Sequence, residues 1–142
     1  MGVGPLGHRI ASEIADRGLG RFVAAADPAP NLSGESLSKI CPSVKDPVKI
    51  LHSIEEVSNW DEIDCVVVAT SSDLRLCEPT FRVALEHGKA VVSTCEELIY
   101  PWLRHKVLAD RLDQLAKKTG GRILGTGVNP GFIMDALPVF AS

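Results

Sequence analysis

No stretch of this 142-residue chain approaches the roughly 20 consecutive apolar residues that a membrane-spanning helix requires. Neither sign of charge dominates. Fifteen Lys and Arg stand against 18 Asp and Glu, a formal net charge of −3, so nothing in the balance favours nucleic acid or an anionic membrane surface. Met1 runs straight into GVGPLGHR, without the basic and apolar regions of a secretory leader, so the expectation is a cytoplasmic protein. No C-x-x-C occurs, and no histidine stands at metal-ligand spacing. The four cysteines (Cys41, Cys65, Cys77, Cys95) and four histidines (His8, His52, His87, His105) are scattered, which points to reduced, incidental thiols and to no metal site. Internal repeats, low-complexity tracts and linkers are missing as well.

What remains is an ordinary globular composition, 45% hydrophobic and 23% charged, enough for one domain with a real core. Compact apolar runs alternate with stretches of helical spacing. Leu6, Ile10, Ala11, Ile14 and Ala15 form one face of a helix that starts beside Pro5 and stops at Gly18 and Gly20. RFVAAAD follows as a strand apolar on both faces, then a Pro- and Ser-rich stretch with a short helix around Glu35–Ile40. KILHS is a second strand, and Ser53-Ile-Glu-Glu56 has the form of a capping box. DCVVVAT, AVVSTC and RILGTGV are three further strands, expected near residues 65–69, 90–94 and 122–127. Between them lie a helix carrying Phe81, Ala84 and Leu85, its start obscured by Pro79, and a long one over Tyr100–Lys118. Leu103, Val107, Leu108, Leu112, Leu115 and Ala116 fall on one stripe of the latter. Strands alternating with helices imply right-handed crossovers and a doubly wound parallel α/β sheet, a Rossmann-like dinucleotide-binding fold.

The chemistry begins at the N-terminus. Gly2-x-Gly4-x-x-Gly7 leads directly into an amphipathic helix, and Asp27 ends the next strand 20 residues after Gly7. The first glycine permits a tight turn, the second admits a pyrophosphate against the backbone, and the third lets helix pack on strand. The helix start offers free N–H groups and a partial positive charge to phosphates. Asp27 is placed to accept hydrogen bonds from ribose hydroxyls. Its carboxylate repels a 2′-phosphate, and Pro28-Ala29-Pro30 brings no adjacent arginine, so NAD is favoured and NADP left open. Thr70-Ser71-Ser72 lies past a strand's carboxyl end, where open α/β sheets bind ligands. Either it touches the nicotinamide ribose, or Ser72 or Asp73 caps the following helix, and both roles can coexist. Ser93-Thr94-Cys95-Glu96-Glu97 ends the next strand; either its two adjacent carboxylates face the site or one serves the N-terminus of the following helix. Gly125-Thr126-Gly127 suggests backbone approaching a ligand or another backbone.

GVGPLG, STCEELIYPW and GTGVNPGFIMDALP together resemble the dihydrodipicolinate reductase-like family in its N-terminal NAD(P)-binding domain, closest to its 2,4-diaminopentanoate dehydrogenase type. The resemblance implies an NAD(P)-dependent oxidoreductase moving hydride at a nitrogen-bearing carbon of an amino acid or cyclic imine. It implies a cofactor set of Gly2, Gly4, Pro5, Leu6, Gly7, Asp27, Thr70, Ser71, Ser72 and Cys95, with Glu97, Asn129 and Gly131 facing substrate. Members of the family carry a strand before the glycine loop and a second, catalytic domain after the NPGF segment. The expectation is therefore a dinucleotide-binding domain over residues 1–128 and, over 129–142, the start of a connection to a domain holding the catalytic groups. The chain by itself is expected to be inactive, and a homo-oligomer is left open for the longer form. Two alternatives stand beside this reading: the lysine-pathway 4-hydroxy-tetrahydrodipicolinate reductase, and a nucleotide-binding module without chemistry of its own.

Overall fold

The computed structural model describes residues 1–141. The chain forms two compact units, Met1–Asp64 and a second beginning at Cys65. Both are α/β with parallel strands.

In the first unit, helix α1 (Pro5–Asp16) has proline in its first turn and ends on Gly18, whose φ of +61° is the left-handed cap that glycine accepts without penalty. Strand β1 (Ala25–Ala26) pairs in parallel with β2 (Ile50–Leu51), and the short α2 (Leu37–Ile40) lies between them in sequence. Val3, Ala11, Leu37, Cys41, Val44, Val48 and Ile50 form the core, with Phe22, Leu32 and Ala15 packed against it. The stretch expected to form a strand over residues 22–26 is regular only at its end. The Phe22 N–H donates to Asp46 Oδ2 (2.9 Å) and the Val23 carbonyl accepts from Asn59 Nδ2 (3.3 Å), so side chains take the place of ladder partners there. On its other side Ala26 O accepts the Gly2 N–H at 2.9 Å, which sets the glycine loop directly beside β1. The capping box is not formed. Ser53 makes no side-chain cap, and Glu56 accepts instead from the His52 N–H at 3.3 Å, ahead of a single 3-10 turn.

The second unit holds β3 (Cys65–Val68), α3 (Leu74–Glu86), β4 (Ala90–Ser93), α4 (Trp102–Thr119) and β5 (Arg122–Gly125). The three strands are parallel in the order β3-β4-β5, with Cys65 opposite Ala90 and Ala90 opposite Arg122. Parallel pairing between strands joined by helical crossovers, as in β3-β4-β5, is the pattern of a doubly wound sheet. Helix α3 starts well before Pro79 and carries that proline in its interior. Burial of Leu74, Cys77, Phe81, Ala84 and Leu85 along one face offsets the missing hydrogen bond. Helix α4 breaks at His105 (φ −129°, ψ 42°), which divides the expected apolar stripe. Leu112 and Ala109 beyond the break are buried, whereas Leu103 and Val107 are 80% and 67% exposed. A π-helical segment (Val128–Ala136) and α5 (Leu137–Ala141) complete the described chain. Among the described residues no helix is long and apolar enough to cross a membrane.

Candidate functional site

The glycine loop is built around one carboxylate. Gly2 takes φ +84°, a conformation that suits glycine alone, and this turn aims the Val3 N–H at Asp27 Oδ2, 2.7 Å away. The other oxygen, Oδ1, accepts the Ala29 N–H at 2.9 Å and closes an Asx turn after β1. Asp27 is 8% exposed, so its charge is held by backbone dipoles in place of water. Each oxygen retains a lone pair for a further donor.

Gly4 is the N-cap of α1 and makes no side-chain cap; Pro5 brings no N–H, and no acidic residue sits in the first turn. The Leu6 and Gly7 N–H groups have no intrahelical acceptor at such a helix start, and they carry the positive end of the helix dipole. A Cβ placed on Gly4 would meet nothing within 4 Å, so the approach to those N–H groups is open. Leu6, expected on the apolar face, is half exposed beside this opening. Gly2, Gly4, Pro5, Leu6, Gly7 and Asp27 are thus brought together, an uncapped helix N-terminus with a carboxylate beside it.

In the second unit, Thr70, Ser71, Ser72, Cys95 and Glu97 converge past the carboxyl ends of β3 and β4. Ser93, itself 1% exposed, ties the two strand ends together. Its hydroxyl donates to Val68 O (3.0 Å) and accepts the Cys95 N–H (3.1 Å). Asp73 is the cap of α3, accepting the Arg75 N–H at 2.8 Å, so of the two capping candidates it is Asp73 that serves. Glu97 serves a helix too, and it is the preceding one. Glu97 Oε2 accepts the Leu74 N–H at 3.0 Å and stands 2.9 Å from His105 Nε2, with Arg104 3.7 Å from Oε1. The Leu74 N–H, aided by His105, holds the Glu97 carboxyl below the usual carboxylate range. Side-chain and backbone hydrogen bonds from Arg75 bring Asp73 down to about 2.

Both carboxylates are therefore more acidic folded than unfolded, and their contribution is present above their ordinary values and fades as pH falls through the lowered ones. The melting temperature is expected to drop between about pH 5 and pH 2, and Glu97→Gln is expected to flatten that drop. An unchanged slope in calorimetric melts of the variant would contradict the Glu97 pairing.

Cys95 is buried, and its thiol donates to Ser72 O at 3.2 Å; Cys77 does the same to Ser71 O at 3.2 Å and lies 3.5 Å from Thr70 Oγ1. Cys77 and His105 were not singled out by the sequence. Cys77 sits one turn into α3, where a side chain points back over the preceding loop, and that position is the signal for it. His105 reaches Glu97 only through the break in α4, which no sequence pattern marks. Asn129 is exposed in the π-helical segment, and Gly131 takes φ +124° close to Thr126, where an added Cβ would lie 3.2 Å from Oγ1. Gly125 is required by another backbone: a Cβ there would come within 3.1 Å of Ile99 N and of Leu98.

No protein-family model matches the chain. It is 37% identical over 90 residues to the 2,4-diaminopentanoate dehydrogenase of Acetoanaerobium sticklandii, an alignment covering 63% of this chain and 26% of that protein. In three dimensions it is similar to an amine dehydrogenase from Mycobacterium smegmatis, with a TM-score of 0.86 and 28% identity over 98% of this chain and 41% of that one. The chain spans well under half the length of either relative. Sequence and fold together set this chain beside dehydrogenases of the 2,4-diaminopentanoate and amine type, as the motifs at residues 2–7, 93–102 and 125–138 indicate.

Proposed function

We propose that residues 1–128 are the cofactor-binding portion of an NAD(P)-dependent oxidoreductase that moves hydride at a nitrogen-bearing carbon of an amino acid or cyclic imine, in the manner of a 2,4-diaminopentanoate dehydrogenase. One observation carries the reading: a buried Asp27 carboxylate braces a glycine turn against an uncapped helix start. Those residues fit a dinucleotide. The Leu6 and Gly7 N–H groups and the dipole of α1 would hold the pyrophosphate. The free lone pairs on Asp27 would accept the ribose hydroxyls, and its charge would repel a 2′-phosphate, so NAD is the favoured cofactor. When bound, the nicotinamide supplies the hydride acceptor or donor.

Thr70, Ser71 and Ser72 would position the nicotinamide ribose, with Cys95 fixing the Ser72 carbonyl behind them. Glu97, whose carboxylate is kept ionised, would present negative charge to a substrate ammonium. Asn129 and Gly131 would line the approach.

Calorimetric titration with NAD and NADP tests the binding; NAD is expected to bind at least about tenfold more tightly, a difference of 1.4 kcal/mol. Failure to bind either would overturn the proposal. Amine-dependent reduction of NAD by a longer form that carries the catalytic domain tests the chemistry. Binding without turnover in that longer form would favour the non-catalytic module, and activity confined to 4-hydroxy-tetrahydrodipicolinate would favour the lysine-pathway enzyme.

A further inference from the structure

Among the described residues, hydrogen bonds reach only one oxygen of the Glu97 carboxylate. Oε2 accepts the Leu74 N–H at 3.0 Å and stands 2.9 Å from His105 Nε2. An ionised carboxylate only accepts, so the proton of the second contact sits on Nε2, and both lone pairs of Oε2 are engaged. At Oε1 the Arg104 guanidinium stands 3.7 Å away, beyond hydrogen-bond length. The Arg104 side chain is 75% exposed against 26% for Glu97, so Oε1 is the oxygen on the open side.

His105 is delivered to this place by the break in α4, and the local sequence gives no cause for that break. Residues 102–109, WLRHKVLA, hold neither the proline nor the glycine that usually kinks a helix. The His105 N–H keeps its bond to Pro101 O at 2.7 Å, so the departure from helical geometry belongs to His105 itself, the residue whose ring meets Glu97.

We propose that His105 is a positioning residue for Glu97: it closes Oε2 and leaves Oε1 to meet a ligand cation alone, so that the site takes a primary ammonium in preference to a guanidinium. The preference follows from the shapes of the two cations. A guanidinium pairs with a carboxylate through a fork of two parallel N–H bonds, one to each oxygen. With Oε2 filled, the fork finds one oxygen in place of two. An ammonium is a compact point charge that one oxygen serves. Arg104 displays the outcome within the chain, a guanidinium beside Glu97 without a fork. The other charges that act on Glu97, Asp73 and Arg75, are paired with each other at 2.7 Å. The inference rests on the reading of Glu97 as the group that meets a substrate ammonium, and adds which oxygen does so and which residue decides it.

The test follows the Glu97 side-chain carboxyl by carbon-13 NMR in the unmodified protein, His105→Leu and His105→Gln. The Leu74 N–H lowers this carboxyl most and His105 lowers it further. His105→Leu is therefore expected to raise its titration midpoint, and His105→Gln, which keeps an N–H donor, to bring it part of the way back. A His105 that only fills space would leave the midpoint in place, and that result overturns the proposal. Butylammonium and butylguanidinium are then titrated at neutral pH against the same resonance. In the unmodified protein half-saturation is expected at a roughly fivefold lower concentration of butylammonium, the worth of about one hydrogen bond. In His105→Leu the two cations are expected to converge, and in His105→Gln to separate again. Equal responses in the unmodified protein, or a preference kept intact by His105→Leu, would overturn the proposal. NAD titration is scored apart from these readouts, so an ammonium preference in a protein that binds no dinucleotide refutes the dehydrogenase reading and upholds the role of His105.

Discussion

Replacing Asp27 with alanine is expected to cost about 2–6 kcal/mol of folding stability and to weaken NAD more than NADP. The stability loss follows from two backbone donors. The Val3 and Ala29 N–H groups both end on this carboxylate, at 2.7 and 2.9 Å, in a setting where Asp27 is 8% exposed. Removing the acceptor leaves each donor without a partner, at about 1–3 kcal/mol apiece. The binding loss has two sources. On the proposed reading a ribose hydroxyl would lose its acceptor, and the Gly2–Gly4 turn loses the Val3 N–H bond to Asp27 that fixes it. NADP is expected to suffer less, because the same change relieves repulsion of its 2′-phosphate. Asp27→Asn separates the two effects: the amide oxygen replaces one acceptor, while its NH2 group confronts the other N–H. Chemical unfolding and calorimetric titration of both variants check the result. An equal loss for NAD and NADP would make Asp27 a brace and nothing more.

The second large effect is expected at Gly88. It takes φ +68°, and a Cβ there would stand 2.9 Å from the backbone oxygen of Thr119. The left-handed conformation costs a non-glycine residue about 1–2 kcal/mol. Overpacking against a backbone that cannot rotate away adds about 1–3 more. Gly121 stands at the same crowding, its own absent Cβ 2.9 Å from Leu85 Cδ2 and 3.1 Å from Lys89 O. The ends of α3 and α4 therefore meet where β4 and β5 begin side by side, Ala90 opposite Arg122. Gly88→Ala is expected to lower the melting temperature by roughly 10 °C, measured by circular dichroism, whereas Gly20→Ala, with open space around the site, should change it little.

Those parts of the molecule that depend on local pattern were legible in the sequence. All five strands stand where two-sided apolar runs lie, and α1 begins and ends at its proline and glycine signals. The pairing of the glycine loop with Asp27 was legible because their spacing reflects a local turn–helix–strand geometry. What escaped depends on partners distant in sequence. Residues 22 and 23 fit a strand by composition, but Asp46 and Asn59 claim their backbone groups. The start of α3 was hidden behind Pro79 because Asp73 and Glu97, the latter 23 residues beyond Leu74, secure its first turn. The stripe on α4 assumed an unbroken helix, whereas the helix breaks at His105 and both Leu103 before the break and Val107 after it lie exposed.

The order β3-β4-β5 has a kinetic meaning as well. Each strand lies beside its immediate predecessor in the chain, joined by one helical crossover, so no strand has to reserve a place for a later one. A ribosome releasing this segment from its N-terminal end would deliver each βαβ closure complete before the next begins. Loop entropy is then met in two modest instalments, the span from Cys65 to Ala90 and that from Ala90 to Arg122. Assembly of the second unit during synthesis can proceed as a growing ladder, with β5 the last edge to zip.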